Sequence, residues 1–372
     1  MNKDYKIYIL VAVAALIIGA IYFLSYGNPA EKLSGKALNI MPRIPVEEKA
    51  KRYELAKEIT SPDGFINTNE EPITINGLIG KKVILIDFWT YSCINCQRTT
   101  PYLNSWHEKY QNKGLAIIGI HTPEFEFEKN YDNVKTAVEK FGIKFPVVLD
   151  NDYSTWKAYK NRYWPRKYLI DIDGYIVYDH IGEGAYEETE QKIQEALQER
   201  MSVLGEVGAI DREIAKEIPV EASQTSPETY FGSGRNQFFA NGKPGVGGHQ
   251  NNLQFPSRLN INSLYLSGNW NIEKEFAQNT ASDAQIAYKY SAKNIFFVSE
   301  ADAQTIVEVT LDEKPLGPEA GEDIIRTSGG KTILKIKEPG LYKIIQSSKS
   351  ETHTLKLKIQ SPGLKAFTFT FG

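Results

Sequence analysis

In 372 residues there are two cysteines, and they stand together as Cys93-Ile94-Asn95-Cys96. A disulfide across so short a loop is a poor staple, because in the chain-entropy model stabilisation grows with the length of the loop closed. The spacing suits a bond that is made and broken. Cys93 sits where a buried strand ends and a helix begins, and a helix N-terminus favours a thiolate. Cys93 is therefore the expected nucleophile, and Cys96, one turn further on, the thiol that resolves its mixed disulfide. The alternatives are two inert thiols or a metal site completed by His107 or His121. Asp87 lies six positions before Cys93 and is placed to take the proton of Cys96, unless it merely marks a polar strand end. Pro101 falls inside the following helix and should kink it. The Trp164-Pro165 bond is by base rate trans.

These side chains need a scaffold, and residues 62–203 alternate strand-like and helix-like patterns. KVILIDFWTY (82–91), LAIIGI (115–120) and PVVLD (146–150) read as buried strands. Residues 98–110, 133–142, 154–160 and 187–201 read as helices. KYLIDIDGYIVYDHIG (167–182) is a hairpin signal through Asp173-Gly174. The pattern predicts one α/β sheet covered on both faces. Residues 204–224 read as a linker. From 225 to 372 the period changes: KNIFFVS, VEVTL, LKLKI and FTFTF are strand-like between Gly-rich turns, which predicts an all-β sandwich or jelly roll.

The net charge of −3 gives no pull toward nucleic acid. Residues 7–24 carry no charge and no proline, and at about 1.5 Å per residue they reach about 27 Å, close to a hydrocarbon core. Residues 1–30 are thus expected to be a single membrane anchor, with residues 31–61 a spacer. The weak charge bias places the bulk of the chain on the extracytoplasmic side of the cytoplasmic membrane.

DFWTYSCINCQRTTP, GIHTPEFEFEKN, RYWPRKYLIDIDGYIVYDHIGEG, SPETYFGSGR and GLKAFTFTFG together resemble the thioredoxin-type region of the DipZ proteins, within the TlpA-like thioredoxins. The resemblance implies a thioredoxin fold with an insertion near 119–150, followed by a carbohydrate-binding-like jelly roll. It makes Cys93 and Cys96 the redox pair, with no other cofactor, and Asp87 the buried acid. It makes Pro165 a cis-proline beside the dithiol, with Trp164 and Pro165 at the substrate. Trp89 and Pro101 become structural neighbours of the site. Thioredoxins carry Trp where this chain has Ser92, and Gly-Pro where it has Ile94-Asn95. DipZ proteins also carry a multi-helix membrane domain, whereas a single anchor is expected here. Electrons for reduction would then come from a separate membrane protein of the CcdA type.

The expected function is a membrane-anchored thiol–disulfide oxidoreductase acting on protein disulfides. One alternative is a thiol peroxidase with an antioxidant role, since Thr90-Tyr91-Ser92-Cys93 has the T-x-x-C form. Another is a binding protein: Tyr230, Phe231, Tyr265 and Trp270 could stack on a glycan, or Cys93, Cys96 and His121 could hold Cu(I).

Overall fold

The computed structural model describes residues 43–69, 71–214 and 226–372. The α/β half, which the sequence leads one to expect to be the redox half, opens with a short helix α1 (Val46–Arg52) and contains β1 (Gly64–Ile66), α2 (Ile75–Leu78), β2 (Val83–Trp89), α3 (Ile94–Tyr110) and β3 (Leu115–His121). It continues with α4 (Tyr131–Lys140), β4 (Val147–Leu149), α5 (Ser154–Ala158), β5 (Arg166–Ile170), β6 (Ile176–Ile181) and α6 (Tyr186–Leu204). The six strands form one sheet in the order β1-β4-β3-β2-β5-β6. β2 runs parallel to β3 and antiparallel to β5. This is a thioredoxin-like α/β fold.

β2 is the central strand, and all seven of its residues are buried. Its side chains alternate between two cores. Val83, Leu85 and Trp89 face a cluster with Leu103 and Trp106 of α3 and Ile193 and Leu197 of α6. Ile84, Ile86 and Phe88 face the opposite cluster with Ile75 and Tyr159. Asp87 shares the odd-numbered face, so the strand's period aims it toward α3. The hairpin closes as expected, with Gly174 in the left-handed region at φ 90° and its N–H on the Asp171 carbonyl.

Two expectations need correcting. The helix expected from residue 98 begins at Ile94, so the Cys-x-x-Cys residues themselves build its first turn. The spacer expected over 31–61 is not free to its end. From Lys49 on it joins the redox half: the buried Lys49 ammonium pairs with Asp171 at 2.5 Å, Asp173 at 2.8 Å and Glu199 at 2.6 Å, and Ile59 enters the core. Removing any one of these partners would leave a buried charge uncompensated, so the segment is held in this position rather than left as a solvated spacer.

Among the described residues no helix is long and apolar enough to cross a membrane. The anchor expected over residues 7–24 lies outside them, as does 215–224 of the expected linker.

Residues 226–372 are β-rich, an 11-stranded network. It comprises β7 (Thr229–Tyr230), β8 (Gly248–Leu253), β9 (Ser263–Ile272), β10 (Ala277–Asn279), β11 (Gln285–Ala301), β12 (Thr305–Leu311), β13 (Lys314–Pro315), β14 (Ile325–Arg326), β15 (Thr332–Ile336), β16 (Gly340–Ile359) and β17 (Leu364–Phe371). The long strands β11 and β16 pair along most of their length and shift register between Ala292 and Asn294. Alternate residues of β12, expected only to be a strand, are buried, whereas the alternating FTFTF is buried on both faces from Phe367 to Thr370.

A small third cluster joins the two halves. Phe125, Val298 and Phe367 are buried together, with Phe127, Tyr230, Phe276 and Leu341 packed around them. The Phe367 ring stands edge-on to Phe125 at 5.0 Å and to Phe127 at 4.9 Å. Polar contacts ring it. Glu124 accepts from the Tyr230 hydroxyl at 2.9 Å and pairs with Arg235 at 2.7 Å, and the Glu126 N–H donates to Glu275 at 3.0 Å.

Candidate active site

Cys93 caps α3 with extended backbone (φ −80°, ψ 119°) and makes no side-chain cap bond. Its sulfur is therefore not tied up as a cap, while the first-turn N–H groups of the helix favour a thiolate there. Cys93 is half-buried, Cys96 is buried, and both are thiols. Burial, the neighbouring Cys93 sulfur and the Asp87 charge all push the Cys96 thiol well up. An accessible nucleophile thus sits above a thiol that stays protonated until it is needed.

Asp87 lies on β2 directly opposite Lys167 on β5. Both are buried, and the Asp87 Oδ1 atom has no hydrogen-bond partner. Burial pushes the Asp87 carboxyl up to about 7, and the Lys167 charge pulls against that rise. Lys167 itself is held down by burial, against the charges of Asp87 and Cys96. Its ammonium donates to the Gly182 carbonyl at 3.2 Å. The result is a buried acid poised to exchange a proton near neutral pH, next to the buried thiol. Sequence reading found Asp87 and missed Lys167. The available signal was a lysine within an apolar strand, KYLID, directly after the Trp-Pro pair.

The Trp164-Pro165 bond is cis, and the Pro165 carbonyl accepts from the Gly182 N–H at 2.8 Å. Trp164 donates from Nε1 to the Thr122 carbonyl and lies against Trp156, with ring centroids 4.3 Å apart. Trp89 is buried against the edge of His121. Pro101 lies within α3.

Cys93 opens into a cleft of about 300 Å³. One wall is the redox half, with Ser92, Ile94, Asn95 and Glu124; the other is the β-rich half, with Pro227, Glu228, Val298, Thr368, Thr370 and Phe371. Glu228 is exposed at this cleft, where partial desolvation and the charge of Glu124 push its carboxyl up. No motif marked the second half as part of the site, because this proximity depends on how the aromatic residues between the halves pack.

Other candidates are placed elsewhere. His121 is fully buried, its imidazole pushed down to about 3 by desolvation, and stacked on Tyr91. Among the described residues its ring does not join Cys93 and Cys96 as a ligand set. The one such set, Asp171, Asp173 and Glu199, is filled by the Lys49 ammonium. Thr90 is buried too and faces the His121 Nε2 atom at 3.4 Å. Phe231, Tyr265 and Trp270 are core residues, and Tyr230 lies in the interface under the Arg235 guanidinium at 3.6 Å. None of the four forms an exposed platform for a sugar.

Residues 54–197 match the Redoxin family, and residues 226–372 match the family described as a thioredoxin-like C-terminal domain. The thiol-disulfide oxidoreductase ResA of Bacillus thuringiensis is 35% identical over 128 residues, which are 34% of this chain and 70% of ResA. Protein DipZ of Mycobacterium bovis is 34% identical over 329 residues, 84% of this chain. This chain belongs to the TlpA/DipZ-type thioredoxin family. It spans 43% of the length of that DipZ relative. Another member, the thiol-disulfide oxidoreductase YkuV of Bacillus subtilis, is 28% identical over 142 residues, 38% of this chain and 93% of YkuV. Both halves of this thioredoxin-family chain thus have counterparts in DipZ, whereas ResA and YkuV match over about a third of it.

Proposed function

We propose that the chain is a thiol–disulfide oxidoreductase that reduces protein disulfides with the Cys93–Cys96 dithiol. The observation that carries this reading is the pair's asymmetry: a half-exposed cysteine at a helix N-terminus above a fully buried one, next to a buried acid. The Cys93 thiolate attacks one sulfur of the substrate disulfide. The Cys93–S bond forms, the substrate S–S bond breaks, and the first substrate thiol leaves. Asp87 takes the proton of Cys96, and the new thiolate attacks the Cys93 sulfur. The Cys93–Cys96 disulfide forms and the second substrate thiol leaves, so two electrons pass from the dithiol to the substrate. Lys167 steadies the charge shared by Asp87 and Cys96. Trp164 and Pro165 border the substrate.

The same reading places the chain at the cytoplasmic membrane, held by residues 7–24 and working on the extracytoplasmic side. A separate membrane donor of the CcdA type returns the electrons. The uncharged run at 7–24 and the likeness to DipZ support this. The β-rich half is read as a jelly-roll sandwich, supported by its alternating burial and long paired strands.

The test is equilibration of the pair with glutathione, together with the Cys93→Ser variant. A strongly negative potential and complete loss of disulfide turnover in the variant are expected. Turnover that survives Cys93→Ser refutes the reading.

A further inference from the structure

Glu128 follows the strand that ends at His121 and is fully buried, yet the exchange chemistry does not use it. Its Oε1 atom accepts from the Ser92 hydroxyl at 2.7 Å and from the Ser92 N–H at 3.2 Å. Its Oε2 atom accepts from the Glu124 N–H at 2.6 Å and the Phe125 N–H at 3.0 Å. Four donors converge on one carboxylate, two on each oxygen, which suits its role as an acceptor. Burial and the charge of Glu124 push this carboxyl up, and the surrounding hydrogen bonds oppose that rise.

The two segments it grips are the ones that shape the cleft. Ser92 immediately precedes the nucleophile, and its side chain is buried. Glu124 lines the cleft with Cys93 and reaches Tyr230 and Arg235 across the interface, while Phe125 packs on Phe367. We propose that Glu128 is a positioning residue that clamps the Cys93 loop to the segment carrying the contact with the β-rich half. Ser92, which stands where thioredoxins have Trp, is then the hydroxyl this clamp requires.

The proposal rests on the exchange reading, so its test uses a thermodynamic measure of placement. Disulfide formation within a dithiol reports how closely the two sulfurs are held, as an effective concentration. The full chain is equilibrated with reduced and oxidised glutathione as wild type, Ser92→Ala, Glu128→Gln and the double variant. Gln keeps the shape but sets an N–H₂ group against donors. Ser92→Ala should shift the equilibrium toward the dithiol about threefold and Glu128→Gln about tenfold. Tenfold is a rise in potential of about 30 mV for two electrons. The double variant should go no further than Glu128→Gln alone, because both changes break one clamp. Unchanged equilibria in folded variants, or effects that multiply in full, overturn the proposal. Should Glu128→Gln fail to fold, Ser92→Ala decides alone: a threefold shift supports the clamp and none overturns it. A wild-type pair that never equilibrates with glutathione sinks both the clamp and the exchange reading.

Discussion

At the scale of single residues, Asp87 makes the sharpest prediction. Folding raises its carboxyl from 3.8 to about 7. Between those values the native state holds a proton that the unfolded chain has released. Stability must therefore fall as pH rises through that window, with the loss complete above about pH 7. At about 1.4 kcal/mol per pH unit this amounts to at most about 4 kcal/mol, with the opposing pull of the Lys167 charge already included. Asp87→Asn removes the titration, so its urea-unfolding free energy should vary less from pH 4 to 8 than that of wild type. The same variant should release a Cys93 mixed disulfide about 10- to 100-fold more slowly in single-turnover mixing, as expected for a lost general base. Cys96→Ser should accumulate that mixed disulfide, visible as a covalent adduct by mass spectrometry; a variant that still turns over would remove Cys96 from its role. These cysteines were legible because their spacing is itself chemical. Lys167 and Glu128 were not, since a buried charge in a strand or loop reads as surface until its partners are known.

The elements were legible where one period ruled. β2 reads as a continuous apolar run and is buried along its whole length. Ile86 is fully buried against the core opposite the dithiol. Ile86→Ala should cost about 2–5 kcal/mol in denaturant unfolding while Cys93 remains alkylable in the native state. The N-terminus of α3 at Cys93 was legible from the chemistry of the cysteine spacing, but the helical pattern was read only from Arg98, because the residues around the cysteines lack helical periodicity. There the tertiary setting overrides local pattern: β2 ends against the sheet, and the chain turns at Thr90, where the Cys93 N–H meets the Thr90 carbonyl. The spacer failed for a related reason. Its composition is that of a solvated segment, and what fixes it comes from distant parts of the chain: the three carboxylates around Lys49, the Gly174 carbonyl that accepts from the Ala56 N–H, and the core that takes in Ile59.

For the whole molecule, the sequence separated an α/β half from a β-rich half but could not say that they share a site. The Phe125–Phe127–Phe367 contact carries that information. Phe367→Ala removes the central ring and should weaken the docking by about 3 kcal/mol, a typical cost for a buried aromatic. Calorimetry should then resolve two transitions where wild type shows one. The variant should also reduce folded protein disulfides faster relative to oxidised glutathione; an unchanged ratio would separate the cleft from substrate choice. The opposing wall of the cleft gives this expectation its sense. If a wall facing Cys93 hinders bulky clients, a disulfide carried on a slender, extended segment should be reduced faster than the same disulfide on the broad flank of a folded protein. Selection by thickness demands no particular amino-acid sequence in the client, only that its disulfide be carried on something thin.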